Sequence, residues 1–283
     1  MKGRGRVGAS RVIFTYAVLT GWALFCLLPL YWVFSTAIKS PQEVTAWPPS
    51  FIPQTFTLEN FVDIFTRSRT FGIPPFVNSA IYGFGTVGLT LVVCSLSGFA
   101  FSRYRFSGRG LLMFAILFLN MLPGLAKIIP LYVMFIHYGL YDTRVGLILL
   151  YTIGEIPLGT WLMKGYFDTI PREMEEAALV DGASTFQAVW RITLPLALPG
   201  LGAVAVIAFN GAWNEYLNPL ILTSSREVRP YTVALSAFAG EFGQVQWNYI
   251  ASAAVVSMLP IIILFGVFQR YFIAGLGTGA VKG

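Results

Sequence analysis

The sequence predicts an all-α, polytopic membrane protein with about six transmembrane helices and a cytoplasmic two-helix loop. Three observations carry that expectation. Of 283 residues, 56% are hydrophobic and only 11% are charged, well below the roughly 25% of soluble domains. Uncharged runs long enough to cross a bilayer recur along the chain. One charged stretch, Pro171 to Pro199, interrupts them and has its own helix grammar. The formal charge of +6 fits arginines at the cytoplasmic ends of spans and does not call for nucleic acid. There is no phosphate-loop pattern, HExxH or cysteine-rich metal site. Cys26 and Cys94 fall in predicted spans, where lone cysteines serve as small apolar fillers.

Residues 1–11 carry Lys2, Arg4, Arg6 and Arg11 and no acid, which places them inside. The apolar run from 12 to about 38 is too long for a signal peptide and is read as a retained first span, with Pro29 a possible kink. The prolines between Lys39 and Pro75 forbid one long helix there. Residues 57–65 predict a short surface helix, with Thr57 as its cap. Span two covers about 76–101, with glycines suited to tight helix packing. The acid-free turn of Arg103, Arg105 and Arg109 marks the inside. Span three covers about 110–138 and is expected to be interrupted near Pro123-Gly124 and at Pro130. Span four covers about 145–163. Span five begins at Leu196 and turns polar at Asn210. Span six covers about 249–268, and a glycine-rich tail follows. With both ends inside, twelve of the nineteen Lys and Arg residues fall inside and six outside, while Lys127 lies within a span. That bias has the sign expected of a membrane protein.

The charged stretch reads as two short helices with a corner. Pro171 starts the first, and Glu173, Glu175 and Glu176 favour its N-terminal end. Met174, Ala177 and Ala178 share one narrow face. Gly182 is a stop signal, and Ser184 with Gln187 fits a capping box for the second helix. Phe186, Val189 and Trp190 form an apolar knob. An ordinary solvated loop has no use for a small-residue face beside an apolar knob, so the stretch reads as a docking surface for another protein.

The polar part of span five, Asn210 to Asn218, suits a solute path. Trp213, Asn214, Tyr216 and Asn218 offer aromatic faces and neutral hydrogen-bonding groups, and Trp213 and Tyr216 also fit interface anchors. Lys127, Glu155 and Glu215 lie at or near membrane depth, where ionisable groups face the bundle interior. Helix-packing ion pairs or subunit contacts are the simpler reading of these three; a proton relay is the other. His137 reads as a boundary residue, with nothing nearby to complete a metal site.

Glu176-Ala177-Ala178, then Gly182, Ile192 and Leu194-Pro195 at their spacing, resemble the cytoplasmic loop of permease subunits in bacterial ATP-binding-cassette importers. The six-span body and the ending from Gln269 to Gly283 are similar to the second permease subunit of the carbohydrate-uptake branch, the MalG type with its MetI-like membrane fold. The resemblance covers nearly the whole chain. It implies a cytoplasmic segment at 1–11, a six-span permease domain at 12–274 containing the coupling loop 165–195, and a cytoplasmic tail at 275–283 that reaches the ATPase dimer interface. Coupling to the ATPase falls to Glu173, Glu176, Ala177, Ala178, Asp181, Gly182, Phe186 and Trp190. The translocation pathway falls to Asn210, Trp213, Asn214, Glu215, Tyr216 and Asn218. Contact with a solute-binding protein falls to Gly240, Gly243, Gln244 and Trp247. No metal or cofactor belongs to this chain; ATP and magnesium belong to a dimer of partner ATPase subunits. The other implied partners are a homologous second permease, an extracellular or periplasmic binding protein, and a carbohydrate or polyol-phosphate solute. The implied location is the bacterial cytoplasmic membrane, with both termini inside. A secondary transporter and a non-transporting structural subunit are the alternatives, and the docking loop argues against the first.

Overall fold

The computed structural model describes residues 9–66, 71–121, 123–238 and 245–279. Every regular element among them is helical. In chain order the first are α1 (Ala9–Ala37), α2 (Pro41–Thr45), α3 (Glu59–Thr66), α4 (Ile73–Arg103), α5 (Arg109–Asn120), α6 (Gly124–His137) and α7 (Arg144–Thr169). There follow α8 (Glu173–Val180), α9 (Thr185–Ala188), a π-helical turn (Val189–Thr193), α10 (Leu194–Leu196), α11 (Leu198–Asn214), α12 (Leu217–Leu222), α13 (Tyr231–Phe238) and α14 (Trp247–Gly279). The chain divides into two compact units, Met1–Arg69 with Phe238–Met258, and Thr70–Ala237 with Leu259–Gly283.

Among the described residues four helices are long and apolar enough to cross a membrane: α1, α4, α7 and α14. A fifth span arises if the pair Thr185–Leu196 and Leu198–Asn214, bent by 74°, is counted as one. The third expected span is divided into α5 and α6, each too short to cross alone. The break falls between Asn120 and Gly124, as Pro123-Gly124 predicts. The interruption expected at Pro130 is absent, and α6 runs through it. Pro29 likewise lies inside an unbroken α1. Helix α7 runs on to Thr169, past 165 where the cytoplasmic loop is expected to begin. The last helix continues to Gly279, so the expected tail is helical over 275–279 and its final residues lie outside the described ones.

In the first unit, Asn60 terminates α1. Its side-chain amide donates to the carbonyls of Ala37 and Lys39, each at 2.8 Å, which satisfies acceptors that a helix end leaves open. Its oxygen accepts from Asn248 Nδ2 at 2.8 Å. Ala37, Ala251 and Val255 pack beneath. The Thr57 hydroxyl accepts from the Glu59 N–H at 3.1 Å, the capping role its sequence position predicts. Glu43 ties the connection together, accepting from Ser50 Oγ (2.6 Å), the Gln54 N–H (2.9 Å) and the Thr55 N–H (3.0 Å) and Oγ1 (2.7 Å). Partial desolvation works against the charged form, but these donors outweigh it and bring the carboxyl down to about 2 from 4.5. A depressed carboxylate stabilises the fold fully above its unfolded value and loses that effect as pH falls through the folded one. Amide protection at Gln54 and Thr55 is therefore flat from pH 7 to about 5 and declines towards pH 2. In Glu43→Gln it is lower by about threefold at pH 7, a modest effect because the site is solvent-exposed. Hydrogen–deuterium exchange with mass spectrometry reads both.

The second unit is built on α4 packed along α7, with α11 against both. Gly98 permits the closest approach: a Cβ there would lie 2.6 Å from Met163 Cβ and 2.9 Å from the Lys164 backbone nitrogen. Ser97 and Thr160 hydroxyls meet across the same contact at 2.7 Å. Gly98→Val forces two backbones apart and costs about 1–3 kcal/mol, read as a lower melting temperature of the purified membrane complex. Gly88→Ala, whose Cβ would meet nothing within 4 Å, leaves the melting temperature unchanged.

At the other end of this unit Asp142, with φ +56°, accepts from the N–H groups of Ser224 (2.9 Å) and Ser225 (3.1 Å). Desolvation opposes the charge, but these N–H groups and the serine hydroxyls hold the carboxyl below its ordinary value. Arg144 and Asn78 each donate to the Glu227 carbonyl at 2.9 Å. Together they clip residues 224–229 across the ends of α4 and α7.

Candidate functional site

The charged stretch folds as its sequence predicts. Helix α8 ends in a Schellman motif, with the Ala183 N–H donating to Ala178 O at 2.9 Å and the Gly182 N–H to Leu179 O at 3.1 Å. Gly182 takes φ +87°, a left-handed conformation that only glycine adopts without strain. A Cβ at Gly182 would meet nothing within 4 Å, so within the chain the requirement is conformational. The capping box is complete: Ser184 Oγ accepts from the Gln187 N–H at 3.3 Å, and Gln187 Oε1 accepts from the Ser184 N–H at 2.9 Å. The π-helical turn and α10 then lead to Ala197, where the chain bends, and Pro199 sits in the first turn of α11.

The expected coupling residues form one outward surface with a single exception. Glu173, Glu176, Ala177, Asp181 and Gly182 are exposed. Phe186 and Trp190 are 74% and 64% exposed and stack on each other, centroids 6.3 Å apart. Met174, Leu179 and Val180 extend the apolar area. The Glu176 carboxylate has no hydrogen bond or ion pair among the described residues. Ala178 is the exception, buried against the chain's own interior.

What holds this surface to the membrane domain had no strong signal in the sequence. Arg103, the last residue of α4, donates through Nε to Glu175 Oε1 at 2.9 Å and pairs with it through Nη2 at 2.7 Å. It also donates to the carbonyls of Phe167 (2.9 Å) and Ile170 (3.0 Å), closing the end of α7. Thr193 of the π-helical turn donates to the same Glu175 oxygen at 3.0 Å. Arg172 donates to Ser102 O at 2.9 Å, and Ser102 donates to Asp168 at 2.7 Å. The Arg103 and Glu175 side chains are only 8% and 14% exposed. One guanidinium thus joins α4, α7 and α8 and, through Glu175, the π-helical turn. From sequence alone Arg103 is a topology marker and Glu175 a helix-start carboxylate.

The expected pathway residues separate into four groups. Glu215 and Asn218 line a cavity of about 520 Å³, with Asn120, Lys127, Tyr151 and Glu155 also on its wall. Asn210 and Asn214 are exposed and pair with each other, Nδ2 to Oδ1 at 2.9 Å. Tyr216 is at the margin of exposure. Trp213 faces no path. It is 1% exposed, stacked on Phe209 at 5.4 Å with Phe76 and Tyr231 alongside. Its aromatic mass was the feature that suited a sugar, and packing claims it instead. Of the expected binding-protein contacts, Trp247 opens α14 and is 58% exposed, while Gly240, Gly243 and Gln244 lie outside the described residues. No metal-holding group of His, Cys, Asp or Glu occurs among the described residues.

Residues 90–277 match the family model described as binding-protein-dependent transport system inner membrane component. The trehalose transport system permease protein SugB of Mycobacterium tuberculosis is 35% identical over 98% of this chain and 100% of its own length. The inner membrane ABC transporter permease protein YcjP of Escherichia coli is 34% identical over 97% of each chain. The maltodextrin transport system permease protein MdxG of Bacillus subtilis is 34% identical over 96% of each. A chain from the crystal structure of a bacterial ABC transporter involved in importing the acidic polysaccharide alginate aligns with a TM-score of 0.80 and 26% identity, covering 96% of this chain and 100% of that one. The chain therefore belongs to the binding-protein-dependent transport inner membrane component family, and is a non-catalytic permease subunit of the carbohydrate-uptake branch of ATP-binding-cassette importers.

Proposed function

We propose that this chain is the MalG-type second permease of an importer that carries a carbohydrate into a bacterium. Its partners are a homologous permease, a dimer of ATPase subunits holding ATP and magnesium, and a solute-binding protein. The observation that carries the reading is the exposed corner of α8 and α9. It combines an unpartnered carboxylate at Glu176, a left-handed glycine and a stacked aromatic pair, and Arg103 and Glu175 anchor it from behind. A surface so prepared and so firmly attached suits force transmission from a partner. Glu173, Glu176, Ala177, Asp181, Gly182, Phe186 and Trp190 meet the ATPase, with Ala178 supporting them from inside. ATPase closure pulls the corner and, through Arg103, the ends of α4 and α7.

Both termini and the corner lie on the cytoplasmic side, and Trp247 with its preceding loop meets the binding protein. Glu215 and Asn218 line the solute path, with Asn210, Asn214 and Tyr216 beside it. The sugar-named relatives support a carbohydrate cargo. The test is purification in mild detergent with every co-purifying protein identified. An ATPase, a second permease and a binding protein are the expected company. A lone homo-oligomer would return the chain to the secondary-transporter reading.

A further inference from the structure

Two breaks in membrane helices meet at one cavity. Asn120 and Gly124 flank the α5–α6 break, Glu215 sits in the α11–α12 break, and the Gly154–Pro157 stretch of α7 joins them on the cavity wall. Irregular backbone at membrane depth persists only where protein buries it or where it faces a cavity. Lys127, Glu155 and Glu215 point to the same conclusion, because ionisable groups in a bilayer mark solute or ion paths. Glu155 lies midway along α7 and has no hydrogen bond or ion pair among the described residues. Tyr151, on the same wall, is more than nine-tenths buried, and its hydroxyl is closed off from water with no partner among the described residues. A buried polar group left open in this way needs an explanation.

We propose that this cavity is a solute subsite contributed by this subunit, and that it takes a neutral, hydroxyl-rich solute in preference to an anionic one. The proposal rests on the permease reading above and sharpens it. Glu155 offers a carboxyl group to hydroxyl donors, and the amides of Asn120 and Asn218 on the same wall can donate or accept. Leu131, Leu150 and Ile153 offer apolar surface to the C–H face of a sugar ring. The volume falls within the range of small-molecule sites. Glu155 and Glu215 set two carboxyl groups on the wall against the single ammonium of Lys127, so a phosphate or uronate finds no excess of positive charge there. Importing the acidic polysaccharide alginate is compatible with the same fold; the side chains of the cavity, not the fold, set the charge class. Gly211 keeps the space for Glu155, since a Cβ on Gly211 would collide with Glu155 Oε1.

The test uses the complete importer with its binding protein in proteoliposomes. The probes are labelled maltose, trehalose, lactose and cellobiose as neutral disaccharides, and glycerol 3-phosphate as the anion. Wild type is expected to take up at least one disaccharide and not glycerol 3-phosphate. Glu155→Gln and Gly211→Ala then lower disaccharide uptake by about tenfold, the penalty of losing a hydrogen bond that a site is built to make. Glu155→Asp retains much of it, while complex yield stays near wild type in all three. Uptake unchanged in both Glu155→Gln and Gly211→Ala overturns the subsite and leaves the permease reading intact. Uptake of glycerol 3-phosphate alone overturns the charge preference. Failure of wild type to import any probe removes the carbohydrate reading, and the subsite with it.

Discussion

Glu176→Lys abolishes solute uptake by the assembled importer, by at least about a hundredfold, because reversing an interfacial charge costs several kcal/mol. The side chain is exposed and pairs with nothing among the described residues, so the folded permease should tolerate the change. Assembly of the two permeases is expected to survive, and the loss appears jointly in uptake and in solute-stimulated ATP hydrolysis. Gly182→Pro gives the same phenotype by another route. Proline cannot take φ +87° and also removes the N–H that bonds Leu179 O. Uptake and stimulated hydrolysis both unchanged in Glu176→Lys would sink the coupling role.

Arg103→Ala is the second large effect, and it acts from inside the chain. It strands Glu175 with only Thr193 and opens two carbonyls at the end of α7. Breaking a buried pair from one side costs about 3–5 kcal/mol. The expected result is a coupling loop cut much faster by trypsin, at Arg172 or Arg191, together with loss of uptake. Arg103→Lys does not restore function, because a point charge cannot serve a carboxylate and two carbonyls at once. In a double-mutant cycle Arg103→Ala and Glu175→Ala are strongly non-additive, since each removes the same contact. Additive losses would show that Glu175 is held by something else.

Local signals in this sequence were legible where one residue type has one physical use. Ser184 with Gln187 fitted a capping box, and Gly182 a helix stop, and both formed. Pro123-Gly124 marked a real break, whereas Pro130 did not, because neighbouring groups can replace the one hydrogen bond a proline removes. Span positions followed from hydropathy to within a few residues, except that charged Lys164 and Asp168 hid the end of α7. They pair with each other at 2.5 Å one turn apart and so stay within the helix. The tether was illegible because Arg103 and Glu175 lie far apart in the chain and each has a sufficient local explanation. Trp213 was misplaced for a related reason: an aromatic residue suits a sugar, an interface and a core equally, and only packing decides among them.

The glycine contact between α4 and α7 also bears on how the subunit moves. With Gly98 seated on the backbone of Met163 and Lys164, these two helices cannot slide or roll without collision, because packed interiors do not deform continuously. They act as one stiff lever, which the proposed coupling role would load through Arg103. Flexure is then expected where the helices already break, between α5 and α6 and between α11 and α12. Those two hinges border the cavity that holds Glu155, so a pull on the coupling corner would reshape that cavity before it disturbed the rest of the bundle.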